Sequence, residues 1–229
     1  MSLVPASIAP LPVPPELLPI LFDYSASFIW ALSGALIAAR RGFVGIGILT
    51  IAIASAVGGG LLRDMLLLSA PVAVRNPVYL TLALIATLMV AVGGRVVDRA
   101  RAVGPAVYLA DALGAGAYAV VGANLAIAAD LPQAGVIFVS VVNAVGGGLL
   151  RDVLMRRVPD LFKPGVPLGG AAFAGAILFS MLAIQVGVPQ TVAAFVTIGT
   201  VFVLAGAMLQ MGVRSRPLES FREYWEGRE

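Results

Sequence analysis

The sequence predicts an all-α integral membrane protein with seven transmembrane helices, built as two inverted three-helix repeats followed by a seventh helix. Its composition is 60% hydrophobic and only 12% charged, whereas a soluble domain is about a quarter charged. Its apolar segments approach the ~20 residues that an α-helix needs to cross a bilayer. A stretch with three consecutive glycines occurs twice, which indicates the internal repeat.

The apolar segments are separated by prolines, glycines and charged residues, which are typical of turns. We place the segments at about 22–40, 43–68, 77–97, 104–126, 132–156, 167–187 and 190–212. The first three segments form one repeat and the next three form the other. Predicted helices 2 and 5 contain the glycine triplets and are expected to be kinked there.

The chain therefore divides into five parts. Residues 1–21 form a Pro-rich leader, which lacks the basic start and the apolar core of a signal peptide. The first three-helix repeat occupies 22–102 and the second occupies 103–188. The seventh helix covers 189–212, and a charged tail covers 213–229.

Lys and Arg are concentrated on one side of the predicted spans. With seven spans, one side carries twelve basic residues and the other carries Arg75, while Arg63 and Arg151 fall within spans. Basic loops are retained in the cytoplasm. The sequence therefore predicts an N-terminus outside and a cytoplasmic C-terminal tail.

The repeated stretch runs from 56 to 64 and again from 144 to 152, identical at all nine positions and offset by 88 residues. The same offset relates Asp23 to Asp111. A unit of three spans crosses the membrane an odd number of times, so the second copy is inserted with the opposite orientation. Inverted repeats of this kind are common in transport proteins.

Each copy carries a glycine triplet near the middle of its span. The triplets are Gly58, Gly59, Gly60, Gly146, Gly147 and Gly148. Three glycines in mid-helix cost about 3 kcal/mol relative to alanine. A break at this depth frees backbone carbonyls toward a water-filled cavity, and Ser55 and Asn143 would add side-chain oxygens for an alkali cation. The alternative is that the glycines only let helices approach closely.

Charged residues flank each triplet and form a second set of candidates as pore or gate residues. They are Asp23, Arg63, Asp64, Asp111, Arg151 and Asp152. An unpaired charge in a membrane is costly, so we predict that Asp23 pairs with Arg63 and that Asp111 pairs with Arg151. The aspartate after each arginine is a competing partner, but adjacent residues do not face each other on a helix. We therefore expect it to pair across to the other repeat. A purely structural clamp is the alternative.

The composition also excludes several classes of function. The chain has no Cys and no His, so it has no thiolate or imidazole metal ligand and no Ser–His or Cys–His nucleophile. We therefore expect that the protein is not an enzyme and has no catalytic residue. We also expect no resident metal ion. A net charge of +3, spread over loops, argues against nucleic-acid binding.

The duplicated Gly-Gly-Gly-x-x-Arg-Asp, the span count and the inverted repeat resemble the prokaryotic members of the TRIC (trimeric intracellular cation) channel family. The resemblance covers about 22–212. It implies a homotrimer with one pore per subunit, lined by kinked helices 2 and 5 and permeable to potassium and sodium ions. It implies no cofactor and is compatible with bound lipid. For a prokaryotic protein the expected location is the inner (cell) membrane.

Two further expectations concern ligands. Animal members of that family carry a Lys-Glu-Val motif in the fourth helix, linked to a lipid headgroup, but residues 111–124 here contain no Lys. We therefore do not expect phosphoinositide binding. The same bacterial family is described as containing glycine-transporter-like domains, so a secondary transporter of a small amino acid such as glycine is the alternative function. Helices broken at the midplane also build substrate sites in such transporters.

Overall fold

The computed structural model describes residues 17–98, 103–163 and 168–214, and over these residues the regular structure is entirely helical. Most of the predicted leader and most of the charged tail lie outside the described residues. The α-helices are α1 (Leu17–Arg40), α2 (Gly45–Leu66), α3 (Val72–Arg75), α4 (Val78–Asp98), α5 (Val103–Ala128), α6 (Gln133–Leu154), α7 (Leu168–Ser180) and α8 (Gln190–Gln210). A 3₁₀ turn spans Asp160–Phe162, and a π-helical segment, Met181–Val186, extends α7.

Six of the described helices are long and apolar enough to cross a membrane. They are α1, α2, α5, α6, α8 and α7 together with its π-helical extension. The apolar part of α4, Val78–Gly93, is shorter. The all-helical membrane class agrees with the sequence, whereas the count of seven spans stays a prediction.

Turn chemistry explains where the helices begin and end. α1 begins at Leu17, inside the predicted leader, because Pro19 lies in the first turn, where a helix needs no N–H donor. Gly42, in the turn before α2, has a φ of 75°. Gly187 ends the π-helical segment with a φ of 72°, a left-handed conformation that glycine adopts readily.

The helices pack around a central pair. α2 lies against α6, α1 and α4 pack on α2, and α5 and α7 pack on α6. α8 covers α5 and α7 on the outside. Much of the buried core is alanine, which lets neighbouring membrane helices approach closely. The helices α1, α2 and α4 thus form one group and α5, α6 and α7 form another, and the two groups meet where α2 packs on α6 and where α1 packs on α5.

Candidate functional site

The glycine triplets form the contact between α2 and α6. A Cβ atom added at Gly58 would lie 3.1 Å from the Cα of Gly147, and one added at Gly146 would lie 2.9 Å from the Cα of Gly59. A Cβ at Gly59 or at Gly147 would meet a main-chain oxygen of the helix opposite. The residue numbers rise along α2 as they fall along α6 in these contacts, so the two helices are antiparallel. The first two glycines of each triplet are therefore the packing surface of this crossing.

The predicted breaks in these helices are wrong, because α2 and α6 each run as an uninterrupted α-helix through the triplet. Close packing, the alternative interpretation, explains the first two glycines. The unfavourable helix propensity of glycine is offset by a backbone approach that larger residues would prevent. No carbonyl is freed by a break, and a bend in either helix stays a prediction.

The third glycine of each triplet faces a cavity instead of a helix. A Cβ at Gly60 would lie 3.5 Å from the nearest guanidinium nitrogen of Arg63, and one at Gly148 would lie 3.7 Å from that of Arg151. Gly60 lines a cavity that also contains Asp23. In each triplet, the first two glycines thus pack against the opposite helix and the third lies in the wall of a cavity.

Ser55 and Asn143 lie within the crossing. The Ser55 hydroxyl donates to the carbonyl oxygen of Ile51 at 2.8 Å, and the Asn143 Nδ2 donates to the carbonyl oxygen of Tyr118 at 2.6 Å. Both residues are fully buried, and neither is among the described residues that line the cavities below. Neither oxygen is open to a cation in this arrangement, because the Ser55 side chain packs against Gly34 of α1 and the Asn143 side chain packs against Gly122 of α5.

Arg151 is the centre of a charged cluster at one end of the crossing. Its Nη1 lies 3.2 Å from Asp111 Oδ2, which confirms the predicted pair, and 3.1 Å from the hydroxyl of Ser33. Its Nε lies 3.2 Å from Asp152 Oδ1. Asp152 also binds Arg157, with an Nη2–Oδ1 distance of 2.5 Å. The arginine is therefore compensated by carboxylates on two helices, as a buried membrane charge requires.

Arg63 has a different partner from the one predicted. Its Nη2 lies 2.7 Å from Asp64 Oδ1, and within the described residues no ion pair joins it to Asp23. The Asp23 carboxylate accepts a hydrogen bond from the Tyr79 hydroxyl instead. Asp23 and Arg63 still line the same cavity.

The prediction that each aspartate pairs across to the other repeat is also wrong. Each binds the arginine before it: Arg63 Nε donates to Asp64 Oδ1 at 2.8 Å, and Arg151 Nε lies 3.2 Å from Asp152 Oδ1. The second oxygen of each carboxylate accepts a backbone N–H of the following segment. For Asp64 this donor is Val72, at 2.8 Å, and for Asp152 it is Asp160, at 2.9 Å. The aspartates thus fix the end of α2 or α6 to the loop that follows.

A first cavity, which we call the Asp23 cavity, opens near the start of α1. Its wide part has a volume of about 330 Å³ and is lined by Asp23, Arg63 and Tyr79, among others. The same three residues continue into a narrow arm of about 10 Å³ that reaches Gly60 and Tyr118. An arm of this size holds about one water molecule.

A second cavity, the Asp111 cavity, opens near the start of α5. Its volume is about 220 Å³, and Asp111, Arg151 and Trp30 are among its lining residues. Ser27 of α1 contacts Tyr118, and Trp30 contacts the backbone of Asp111, so α1 and α5 are antiparallel. The starts of α1 and α5, and hence the two cavities, lie at opposite ends of the crossing.

Sequence reasoning missed the two aromatic residues between these cavities. Trp30 and Tyr118 pack edge to face, with ring centroids 5.5 Å apart and planes at 87°. A detectable signal existed, since the two residues are 88 positions apart, the offset of the repeated stretch. Because Trp30 and Tyr118 are different residues, a comparison of identical residues at this offset does not reveal them.

The fold places the protein in the class of prokaryotic TRIC channels. A structure described as "Structural basis for conductance through TRIC cation channels" is 29% identical, with a TM-score of 0.77 over 86% of this chain and 96% of that chain. The TRIC trimeric intracellular cation channel orthologue from Rhodobacter sphaeroides is 27% identical, with a TM-score of 0.78 over 86% of this chain and 100% of that chain. The predicted family resemblance is confirmed, and the similar structures are ion channels, which are not enzymes.

The chain belongs to the family whose model is described as glycine transporter, which matches residues 20–95 and 108–184. A UPF0126 membrane protein of Deinococcus radiodurans is 35% identical over 157 residues, which are 67% of this chain and 71% of that protein. The UPF0126 inner membrane protein YadS of Escherichia coli K12 is 30% identical over 160 residues, 67% of this chain and 76% of that protein. The protein is therefore an integral membrane protein, as predicted.

Proposed function

We propose that this protein is a monovalent cation channel, permeable to potassium and sodium ions, with one pathway per subunit between α2 and α6. The observation that carries the proposal is that two charged cavities approach the same α2–α6 crossing from opposite ends. The solved TRIC structures, described as cation channels and as trimeric, support cation permeation and a homotrimer.

The proposed architecture has seven spans and an inverted repeat. Its support is that the Arg63–Asp64 ion pair and the hydrogen bond from the Val72 N–H to Asp64 recur 88 positions later, at Arg151–Asp152 and at the Asp160 N–H. The N-terminus is placed outside and the C-terminus in the cytoplasm of a prokaryotic inner membrane, on the distribution of basic residues. The channel uses no cofactor, accommodates bound lipid and does not depend on phosphoinositide.

The second candidate function is secondary transport of a small amino acid such as glycine. The description of the matching family favours it. A transporter needs a site that binds the zwitterion in one cavity and then exposes it to the other. The Asp23 cavity contains both a carboxylate and a guanidinium, the two charges that such a ligand requires.

One experiment separates the two functions. The purified chain is reconstituted in planar bilayers under a KCl gradient and, in parallel, in vesicles with labelled glycine. Unitary currents that reverse near the potassium equilibrium potential are the expected result. Saturable, gradient-coupled glycine uptake without unitary currents would overturn the channel proposal.

Asp23→Asn is expected to reduce cation conductance in a salt-dependent way. Within the described lining of the Asp23 cavity, Asp64 neutralises Arg63 and leaves the charge of Asp23 in excess. An excess negative charge concentrates cations at a pore entrance. At about 0.01 M KCl, where the Debye length is ~30 Å, conductance should fall by roughly half, whereas at 1 M it should change little.

The matched control for this variant is Asp130→Asn. Asp130 is exposed in the turn after α5, at the same end of the bundle but outside the cavity lining. Single-channel conductance should be unchanged at both salt concentrations. An equal loss in the two variants would assign the effect to general surface charge and contradict the role of Asp23.

A further inference from the structure

An aromatic pair lies between the two cavities. Trp30 lines the Asp111 cavity, Tyr118 lines the narrow arm of the Asp23 cavity, and their rings are in contact. The cavities share no lining residue in the part of the chain that the structure describes. Trp30 is 3% exposed and Tyr118 is 2% exposed, so both rings are almost entirely shielded from water.

We propose that Trp30 and Tyr118 form the barrier between the two cavities, an aromatic gate that determines whether an ion passes. The two residues are 88 positions apart, so each repeat contributes the same position to the barrier. The inference deepens the proposed channel function and rests on it for its electrical readout. It assigns to these residues a role that neither the glycine triplets nor the charged clusters supply.

Hydrogen bonds hold the Tyr118 ring in the closed position. Its hydroxyl donates to the carbonyl oxygen of Ala56 at 2.5 Å, and the Ser27 hydroxyl lies 2.6 Å from it. Since the phenol has one hydrogen and gives it to Ala56, Ser27 is the donor in the second bond. The ring is thus tied to α2 and α1 at once, and the narrow arm ends on it.

The Trp30 ring is fixed by close packing as well as by a hydrogen bond. Its Nε1 donates to the carbonyl oxygen of Asp111 at 3.3 Å. The ring fills the space that side chains at Gly114 and Gly147 would occupy. Gly147 also belongs to the α2–α6 crossing. A shift of α6 relative to α2 therefore moves Gly147, against which the Trp30 ring packs. Opening the gate therefore requires that one of the two rings turns or that α2 separates from α6.

Cysteine accessibility tests the barrier without relying on current. The chain has no cysteine, so Val72→Cys and Val145→Cys each introduce a single reactive thiol. Val72 lines the wide part of the Asp23 cavity and Val145 lines the Asp111 cavity. In reconstituted protein of known orientation, a membrane-impermeant cationic methanethiosulfonate should modify each cysteine from its own side only.

Trp30→Ala should remove this sidedness. In each cysteine background the rate of modification from the far side is expected to rise by about tenfold or more, as for a lowered barrier. Tyr118→Phe, which keeps the ring and loses both hydroxyl bonds, should raise the far-side rate less. Phe138→Ala, which removes an exposed aromatic ring of α6 outside the cavity linings, is the matched control and should preserve sidedness.

The sidedness of cysteine modification decides whether the two rings form the barrier. The proposal is overturned if either cysteine reacts from both sides with Trp30 in place, or if folded Trp30→Ala and Tyr118→Phe proteins keep full sidedness. Should Trp30→Ala fail to elute as a folded protein, Tyr118→Phe alone gives the decision. Loss of sidedness without unitary currents from the unmodified chain would support the barrier while rejecting the channel function.

Discussion

Gly59→Ala is expected to lower the free energy of unfolding by about 1–3 kcal/mol, the usual cost of overpacking a close-packed site. The added Cβ would overlap the carbonyl oxygen of Asn143, which belongs to an uninterrupted helix and cannot turn away. α2 and α6 must therefore separate. The loss is measured as a lower midpoint of thermal or denaturant unfolding of the protein in detergent.

Gly60→Ala is the matched control, since it adds the same methyl group one residue later on the same helix. Its Cβ would approach only the guanidinium of Arg63, at 3.5 Å. Alanine is favoured over glycine in a helix by about 1 kcal/mol, so stability should be retained or increased. A similar loss in both variants would show that helix flexibility, rather than the crossing, explains the glycines.

Arg151→Met is expected to cost about 3–5 kcal/mol of stability, the range found when one partner of a buried ion pair is removed. Asp111 loses its only cation among the described residues, and its Oδ1 is already buried without a hydrogen-bond partner there. Asp152 keeps Arg157. The loss is again measured as a shift of the unfolding midpoint.

Two comparisons make this second prediction specific. Arg75→Met removes an exposed arginine and should change stability by no more than about 0.5 kcal/mol. Adding Asp111→Asn to Arg151→Met removes the uncompensated carboxylate and should recover part of the loss, as expected for coupled sites. If the double variant is as unstable as the sum of the single variants, Asp111 and Arg151 are not a pair.

The helices could be predicted from the sequence because a bilayer restricts the length and the composition of a membrane-spanning helix. Hydropathy, together with the need for about 20 residues per span, placed α2 at 43–68 and α6 at 132–156, against Gly45–Leu66 and Gln133–Leu154 in the structure. The repeated nine residues directed attention to the central pair of helices. The Asp111–Arg151 pair followed from the cost of a buried charge.

Whether the helices break or continue at the glycine triplets could not be predicted, since this depends on which residues lie opposite each glycine. Propensity alone favours a break at Gly58 and Gly59, but a second glycine triplet on α6 makes an unbroken helix favourable. The partner of Arg63 depends in the same way on the loop after α2, where Val72 offers an N–H to Asp64. The contact between Trp30 and Tyr118 needs the antiparallel packing of α1 and α5.

The uninterrupted course of α2 and α6 has a consequence for the response to membrane potential. Each helix has a macrodipole with its negative end at the C-terminus, and the two helices are antiparallel, with their C-termini beside different cavities. Their axial dipoles therefore oppose each other across the membrane. A transmembrane voltage acts on charges according to their displacement along the field. The backbone dipoles of the two central helices therefore contribute little net voltage dependence, and the ionised side chains and the permeating ions remain as charges on which the field acts.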